Sequence, residues 1–276
     1  MREILVPWDS QPQEAVEPTT SSLRNGLTSL FNPASGLVAV ADVFPAYTNT
    51  TLVPRQSGIA ALFAASNTSH VATSNVESLL GLTDGTIFMH LRFVDTTNRS
   101  GMLMGATNNG SAINRVIAQA FTDGNVYFDW GGASSGGGGR LFTSTNKTLA
   151  PRTLAFVAGG GRGREIWSDG RLIASGADAT SRPVLNVSFN WGSPRPGATG
   201  WDADIFETYL GATWNRALSH AELSALRPEQ AAEQLFAPRT QYIPTASGVL
   251  VPTLSLSTFA PGSLTATGWR PQVTTV

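Results

Sequence analysis

The sequence predicts an all-β fold that is rich in turns. Charged residues are only 13% of the 276 residues, well below the usual quarter, and Gly, Ser, Thr, Asn and Ala take their place. Several segments alternate apolar and polar residues with the two-residue period of a strand buried on one face. The pairs Asp123-Gly124 and Asp169-Gly170 stand between such segments as hairpin turn signals, because Asp and Gly tolerate a positive φ. All-β sandwiches of this length often form one domain.

The strand candidates begin at Gly36. The clearest is Gly85–Phe93, in which every second residue from Ile87 onward is apolar and shares one face. The other candidates are the segments 37–40, 59–63, 102–105, 115–121, 125–130, 153–158, 164–168 and 171–176. A loop rich in Ser, Thr and Asn is predicted at 66–75. Short strands with turn signals between them support the all-β prediction.

Two glycine-rich runs, 134–140 and 158–164, do not indicate a nucleotide site. A phosphate-binding loop needs a Gly-rich turn that continues into Lys-Ser/Thr and a helix. Neither run has the lysine or a following helix. We expect the first run to be a flexible loop and the second to be the tip of a hairpin.

The stretch after residue 200 predicts two strands and a short helix. Alternation over 203–208 has the period of a half-buried strand, and the apolar run that follows it predicts a second strand. Ser219 and Glu222 have the spacing of a capping box, in which each side chain accepts from the other residue's backbone N–H. A short helix over 220–226 should follow. It should end there because Pro228 disfavours helical geometry at the residue before it. A further helical turn or two is expected at 228–236.

Both ends of the chain are predicted to extend from the domain. Residues 1–35 form an arm that four prolines punctuate, in which Trp8 and its apolar neighbours anchor on the parent domain or on a neighbouring subunit. Residues 237–276 form a tail with two alternating segments, which predict strands outside the sandwich with edges that seek a partner. Phe259 and Trp269 are the expected apolar anchors of this tail.

Three segments of the sequence resemble segments of one protein family and occur in the same order as in that family. They are GTIFMHLRF at 85–93, TLAFVA with REIWSDGRLIASG within 153–176, and WNRALSHAEL at 214–223. The phrases resemble those of laminin-G-like and concanavalin-A-like proteins, and the resemblance covers residues 85–226. It implies a two-sheet antiparallel jelly roll, which we expect to span 36–236.

The ends of the chain resemble those of bacteriophage and prophage proteins with a laminin-G-like domain. The opening PWDSQPQ matches a PW-x-x-QPQ element, and QLFAPR before a Ser/Thr-rich tail matches their C-termini. The resemblance implies a non-enzymatic virion structural protein, such as a capsid decoration protein. Its localisation would be the virion, and its partners other capsid or tail proteins and itself as a homo-oligomer. Two alternatives stay open: a glycan-binding adhesin of a tail or fibre that contacts host surface polysaccharide, and a polysaccharide-cleaving enzyme.

Asp202, Asp204 and Glu207 form an acidic cluster that invites a catalytic interpretation. Concanavalin-A-like glucanases use Glu-x-Asp-x-Glu on one strand face, and the two carboxyl groups of a retaining site lie about 5 Å apart. The first glutamate is absent here, and Glu207 falls on the other face from the aspartates unless a bulge intervenes. We therefore predict no catalytic residue. Asp202 and Asp204 could supply two of the oxygen ligands of a Ca²⁺ ion, and no other cofactor is expected.

Seven tryptophans in a lightly charged chain suggest stacking on sugars. Trp191 and Trp201 bracket a loop rich in Gly and Pro, which makes their rings candidates for binding a glycan. Arg195 and Asp202 are the expected polar partners. The alternative is that the two rings pack on the end of the sandwich or on a neighbouring subunit.

Composition argues against several other classes of protein. A net charge of −1 gives no reason to expect nucleic acid or an anionic membrane as a partner. The chain has no Cys, which excludes disulfides and thiolate metal sites. No signal peptide is visible, and no apolar run approaches the roughly 18 residues of a membrane span. The three histidines are scattered and belong to no recognisable triad or zinc motif.

Overall fold

The computed structural model places the chain in a β-sandwich of two antiparallel sheets. The described residues are 22–33, 36–38, 46–55, 58–97, 101–108, 114–131, 140–144, 147–177, 181–228, 235, 239–244 and 250–255. The predicted anchors Trp8, Phe259 and Trp269 lie outside the described residues.

The described strands form one large sheet, one smaller sheet and, from the last two strands, a separate two-stranded sheet. In chain order they are β1 (Leu27–Asn32), β2 (Gly36–Val38), β3 (Ala46–Thr48), β4 (Thr50–Arg55), β5 (Gly58–Phe63), β6 (His70–Asn75), β7 (Gly85–Phe93), β8 (Gly101–Thr107), β9 (Arg115–Ala120), β10 (Asn125–Trp130), β11 (Arg140–Ser144), β12 (Arg152–Ala158), β13 (Arg164–Ser168), β14 (Arg171–Gly176), β15 (Ser188–Gly192), β16 (Phe206–Trp214), β17 (Arg239–Pro244) and β18 (Leu250–Ser255). The helices are a 3-10 turn (Ser22–Arg24), α1 (Val76–Leu79) and α2 (His220–Ala225).

Strand order defines the two layers of the sandwich. The nine-stranded sheet has the order β14-β13-β12-β7-β16-β1-β2, with β5 also paired to β16 and β4 paired to β5. The seven-stranded sheet has the order β11-β10-β9-β8-β15-β6-β3. Every described pair of named strands is antiparallel. The predicted two-sheet antiparallel jelly-roll sandwich is therefore confirmed.

The main core lies between the two sheets and follows strand alternation. On β7, Ile87, Met89, Leu91 and Phe93 face the other sheet, as predicted, and are fully buried. Phe128 of β10 belongs to the same cluster from the opposite sheet. Each such side chain stabilises the fold by about 1.5–3 kcal/mol relative to an exposed one.

The other face of the nine-stranded sheet carries a second apolar cluster. Phe88 of β7 and Trp214 of β16 point to this side, where Leu218 and Leu223 from the α2 region cover them. Trp214 Nε1 also donates to the carbonyl oxygen of Leu23, at 2.6 Å. We call this group the outer cluster; its buried members are Leu23, Leu30, Phe88, Ala155, Val157, Trp167, Leu210, Ala212, Trp214, Leu218, Leu223, Leu226 and Leu235. The nine-stranded sheet is therefore covered on both faces over the area of this cluster.

The predicted capping box begins α2. Ser219 Oγ accepts from the N–H of Glu222 at 3.3 Å, and Ser219 N donates to Glu222 Oε2 at 2.8 Å. The helix ends at Ala225, one residue earlier than predicted. Arg216 Nη1 and Nη2 donate to the two carboxylate oxygens of Glu222 at 2.9 and 2.7 Å. These bonds from Arg216 lower the pKa of Glu222 to about 2, against the effect of its burial.

Both predicted Asp-Gly pairs form hairpin turns. Asp169 and Gly170 have φ of 51° and 73°, the left-handed values that a tight turn between β13 and β14 requires. Gly124, between β9 and β10, has φ of 80°. The second glycine-rich run forms the hairpin tip between β12 and β13, as predicted. A Cβ at Gly163 in this tip would lie 2.0 Å from the carbonyl oxygen of Gly176.

The sandwich begins within the segment that was predicted as the N-terminal arm. Leu27–Asn32 forms β1, which pairs with β16 inside the nine-stranded sheet, so the boundary at residue 35 is wrong. Leu30 belongs to the outer cluster and Phe31 to the main core. A strand that is buried on both faces does not alternate in polarity, which hid it from the pattern.

Two internal elements also differ from the prediction. His70–Asn75 forms β6 within the segment 66–75 that was predicted as a loop. The two strands expected on either side of Thr208 are one strand, β16, which the structure begins at Phe206. Its register shifts between Thr208 and Leu210, which marks a β-bulge at Tyr209. The bulge breaks the alternation and produced the apparent gap between two strands.

The tail contains a separate two-stranded sheet. β17 pairs with β18, and no other described strand pairs with either. Of the two alternating segments predicted in the tail, the one at 253–259 overlaps the end of β18, and the one at 263–276 lies outside the described residues. The segments 132–139 and 229–234, which hold most of the predicted glycine-rich loop and second helical turn, lie outside the described residues. Among the helices described, none has the length and apolar character needed to cross a membrane.

Candidate functional site

The structure places the two predicted glycan-binding tryptophans on opposite sides of the seven-stranded sheet. Trp191 lies on β15 and faces the main core, where it is fully buried. Its ring stacks on Phe31 at a centroid distance of 5.8 Å and meets Phe189 edge-on at 5.3 Å. Stacking on a sugar needs an exposed ring face, so the assignment of Trp191 to a glycan site is wrong. A strand carries this side chain inward where a loop was expected to carry it outward.

Trp201 lies over the outer face of the seven-stranded sheet, but the residue is only 9% exposed. The side chain packs on Met102 of β8 and Ile117 of β9. The guanidinium of Arg115 lies 5.7 Å from the ring centroid. Backbone hydrogen bonds tie the loop that carries Trp201 to the loop at 66–69. Trp201 therefore supports this surface and does not offer a free platform for a sugar.

Arg195 and Asp202, the predicted polar partners, do not converge with the tryptophans. Arg195 is half-buried and Asp202 is exposed. The backbone carbonyl of Asp202 accepts from the N–H of Met102 at 2.8 Å, which fixes the end of the loop to β8. Because Trp191 faces the opposite side of the sheet, the four residues do not form one site.

Asp204, the second calcium candidate, is buried beside a lysine. Lys147 Nζ donates to Asp204 Oδ2 at 2.6 Å, and the two side chains are only 3% and 2% exposed. The same Nζ donates to the carbonyl oxygen of Thr97 at 3.1 Å and lies 5.3 Å from the ring centroid of Phe93. An ammonium group thus fills the position that a cation would take, so the calcium assignment of Asp204 is wrong. Within the described ranges, no three His, Cys, Asp or Glu side chains are grouped to hold a metal ion.

Glu207 is buried on the outer side of the nine-stranded sheet between two arginines. Arg55 Nε donates to Oε1 at 3.0 Å, Arg92 Nη2 lies 3.0 Å from Oε2, and the Tyr209 hydroxyl donates to Oε2 at 3.2 Å. Burial raises the pKa of Glu207, but the hydrogen bonds from Arg55 and Arg92 outweigh it, so the pKa lies below its ordinary value. A catalytic acid needs the opposite shift. This carboxylate is suited to an ion pair and not to proton transfer.

A group of aromatic rings lies on the outer face of the seven-stranded sheet at β9–β11. Phe142 is 57% exposed and Phe121 is 37% exposed. The ring of Tyr127 lies between them, stacked on Phe142 at a centroid distance of 5.3 Å and edge-on to Phe121 at 5.6 Å. We call Phe121, Tyr127 and Phe142 the aromatic face. Neighbouring strands lie about 4.8 Å apart, so the three rings form a continuous apolar strip.

Two arginines that form ion pairs with the same buried aspartate lie next to the aromatic face. Arg140 of β11 donates from Nε to Asp129 Oδ1 at 2.7 Å and from Nη2 to Oδ2 at 2.9 Å. Arg115 Nη2 lies 2.7 Å from Asp129 Oδ2. We call Arg115 and Arg140 the arginine pair. The Arg140 guanidinium lies 4.8 Å from the ring centroid of Tyr127, a cation–π contact that fixes the pair against the aromatic face.

Hydrogen bonds and burial set the charges on this surface. Burial lowers the pKa of Arg115; Asp129 acts against this shift and the charge of Arg140 adds to it. Hydrogen bonds to Asp129 raise the pKa of Arg140. The hydrogen bond from the Tyr127 hydroxyl lowers the pKa of Asp123 and raises that of Tyr127. Both guanidinium groups stay charged and Tyr127 stays neutral near pH 7.

Sequence reasoning missed the aromatic face, although part of its signal was present. Tyr127 and Asp129 are two positions apart on the predicted strand 125–130, so period 2 places them on one face. β11 was not predicted, because its short segment follows a glycine-rich run. Without β11, Arg140 and Phe142 had no assigned face.

No protein-family model matches the sequence, and no curated protein matches it at a significant level. Solved structures do match. The binding domain of Paraclostridial Mosquitocidal Protein 1 has a TM-score of 0.58 at 13% identity, over 80% of this chain and 55% of that chain. Trypanosoma rangeli sialidase has a TM-score of 0.56 at 16% identity, over 83% of this chain and 36% of that chain.

The binding domain of botulinum neurotoxin serotype G has a TM-score of 0.54 at 11% identity, over 72% of this chain and 50% of that chain. This chain thus spans about a third of the sialidase chain and about half of each toxin binding domain. At these identities the likeness concerns the fold alone. The chain shares an antiparallel β-sandwich with these enzymes and binding domains. A functional site has to be argued from the surface residues of this chain itself.

Proposed function

We propose that this protein is a non-enzymatic glycan-binding module. The observation that supports this most is the aromatic face, where an exposed Phe142 and Phe121 flank Tyr127 beside the arginine pair. Sugar rings offer apolar C–H faces to aromatic rings and hydroxyl groups to charged side chains, so this mixture fits a carbohydrate. Binding sites in general combine apolar or aromatic lining with a few fixed polar groups.

The ion pairing of the buried carboxylates supports the non-enzymatic part of the proposal. Most glycosidases use two carboxyl groups across the scissile bond, of which one is held as an acid. Asp204 is neutralised by Lys147, and Asp129 and Glu207 each lie between two arginines. A carboxylate that is stabilised in its charged form by cations is a poor proton donor.

The names of the structural neighbours agree with a recognition role. Two are binding domains of toxins, and one sialidase structure holds sialic acid. Those properties belong to those proteins, and this chain spans only about a third of the sialidase. A shared fold carries many functions, so the argument for this chain rests on its own aromatic face.

The test is Phe142→Ala in a glycan array followed by calorimetry. Loss of the most exposed ring should weaken binding at least about tenfold, which corresponds to about 1.4 kcal/mol. Leu52→Ala is the matched control, because Leu52 is 48% exposed but lies on β4 of the other sheet. Both variants should keep the melting temperature of the wild type, since surface substitutions usually change stability by less than about 0.5 kcal/mol. Absence of any glycan binding, or equal binding by Phe142→Ala, would contradict the proposal.

A second candidate function is attachment to a bacteriophage virion, as a capsid decoration or other particle-surface protein. The phage-like phrases at both ends of the sequence support it. So does the tail hairpin, since β17 and β18 pair with no other described strand and present edges to a partner. In this role the module joins other virion proteins or copies of itself through the tail. The glycan would then be a polysaccharide of the host surface.

A further inference from the structure

The arginine pair carries more positive charge than its protein partner neutralises. Arg115 and Arg140 share one carboxylate, that of Asp129, whose side chain is 1% exposed. We propose that the glycan carries a carboxylate, which binds to the arginine pair while its sugar ring stacks on the aromatic face. This inference rests on the proposed function and narrows its ligand to an acidic sugar, either a uronic acid or a sialic acid.

The hydrogen bonds of the pair leave donors for a second carboxylate. A guanidinium group has five N–H donors. Arg140 uses Nε and Nη2 for Asp129, while Arg115 approaches it with Nη2. Among the described residues, Nη1 of Arg140 has no acceptor and is left for a ligand, whereas Nε of Arg115 is buried and out of a ligand's reach. A planar carboxylate suits the Nη1–Nη2 edge of Arg140, because arginine binds such groups through two parallel hydrogen bonds.

Arg140 is the member of the pair that a ligand reaches first. Its side chain is 25% exposed, compared with 11% for Arg115. Arg140 and Phe142 are two positions apart on β11 and share one face, which puts them about 7 Å apart. One sugar residue can span that distance with its ring on Phe142 and its carboxylate on Arg140. The contact between Arg140 and Tyr127 holds the guanidinium in place before the ligand arrives.

Other charges near the surface do not cancel the excess. Asp123 lies beside the aromatic face and accepts from the Tyr127 hydroxyl and from Asn125, but Asp129 is the carboxylate that acts on the pKa values of Arg115 and Arg140. Asp202 is exposed, in the loop that carries Trp201. Burial lowers the pKa of Arg115, and the neighbouring Arg140 adds to this shift. A ligand carboxylate would relieve this repulsion, in a place where water screens it less than at an open surface.

The test compares acidic sugars with matched neutral ones on the full chain. Calorimetry would use a glucuronic acid oligosaccharide, its carboxyl-reduced form, sialyllactose and lactose, at low and at physiological salt. We expect one acidic sugar to bind at least about tenfold more tightly than its neutral counterpart, with a preference that falls as salt rises. The sugar that shows this preference identifies the source of the carboxylate.

Substitutions of single arginines test where the carboxylate of the ligand binds. Arg140→Gln should abolish the preference for the acidic form and leave the weaker binding of the neutral form. Arg140→Lys keeps the charge but not the two-point geometry, so it should retain part of the preference. Arg55→Gln is the matched control, because Arg55 also shares a buried carboxylate, Glu207, with a second arginine on the other sheet. This control should bind every sugar as the wild type does.

The outcomes separate this inference from the proposed function. Equal affinity for the acidic and reduced sugars overturns the inference alone, since neutral binding needs only the aromatic face. Failure of every sugar, here and on the array, overturns both. A preference that persists in Arg140→Gln, or that Arg55→Gln removes, places the carboxylate elsewhere and overturns the inference. If Arg140→Gln does not fold because Asp129 loses a partner, Arg140→Lys and the wild-type comparison with the reduced sugar decide the question.

Discussion

Removal of the Lys147 ammonium should destabilise the sandwich strongly. Lys147→Met keeps a side chain of similar length but removes the charge that lies 2.6 Å from Asp204 Oδ2. The carboxylate of Asp204 is 2% exposed, so water cannot replace the lysine without opening the structure. The substitution therefore leaves a buried negative charge without this cation.

The expected size of the effect is large for a single domain. Loss of one partner of a buried ion pair costs about 3–5 kcal/mol, against a total free energy of unfolding of about 5–15 kcal/mol. For a domain of about 150–250 residues, each kcal/mol lowers the melting temperature by about 2–4 °C, which gives a fall of about 6–20 °C. The double variant Lys147→Met/Asp204→Leu should recover much of this loss, because a buried ion pair can be replaced by apolar residues at little net cost.

Urea unfolding followed by tryptophan fluorescence, together with calorimetric melting, measures these changes. Arg171→Met is the control, because Arg171 is exposed on the edge strand β14. It should change the free energy of unfolding by less than about 0.5 kcal/mol. A loss below about 1 kcal/mol in Lys147→Met, or a double variant no more stable than the single one, would refute the reasoning.

The remaining predictions concern pH and the tail. The pKa of Glu222 is about 2 in the folded protein against an ordinary value of 4.5, so its contribution to stability is complete above pH 4.5 and is lost as the pH falls towards 2. Glu222→Gln should flatten the fall in melting temperature over that window, and an unchanged slope would show that another group causes it. Deletion of 237–276 should leave a folded monomer that binds glycans but no longer joins virion proteins. Size-exclusion chromatography and a particle-binding assay measure this. Unfolding of the truncated chain would show that the tail belongs to the core. Normal assembly would show that another surface contacts the virion proteins.

Local patterns in the sequence predicted the elements whose signals are local. Asp169-Gly170 defines the turn between β13 and β14, and the spacing of Ser219 and Glu222 defines the start of α2. β6 could not be predicted in this way, since its buried polar residue Thr73 donates to the carbonyl oxygen of Phe189, 116 positions away. A polar residue that is satisfied by such a distant partner looks like a loop residue in the sequence.

The candidate site depended even more on distant contacts. The inward direction of Trp191 follows from the pairing of β15 with β6 and β8, which no local pattern specifies. The ion pair between Lys147 and Asp204 joins residues 57 positions apart. Trp191 and Asp204, two of the residues that were expected to bind ligands, are polar or aromatic types that the core can accept once a neighbour satisfies them.

The outer cluster decides which side of the molecule can be presented to a partner. Leu23, which precedes β1, and Leu235, beyond α2, both pack into this cluster behind the nine-stranded sheet. The aromatic face lies on the outer side of the other sheet, so Leu23 and Leu235 lie at the back of the sandwich while the rings lie at the front. A support that binds the protein on the side of the outer cluster would therefore leave Phe142 of every copy turned outward. Weak affinity at one such surface would then be multiplied by the number of copies that the support carries side by side.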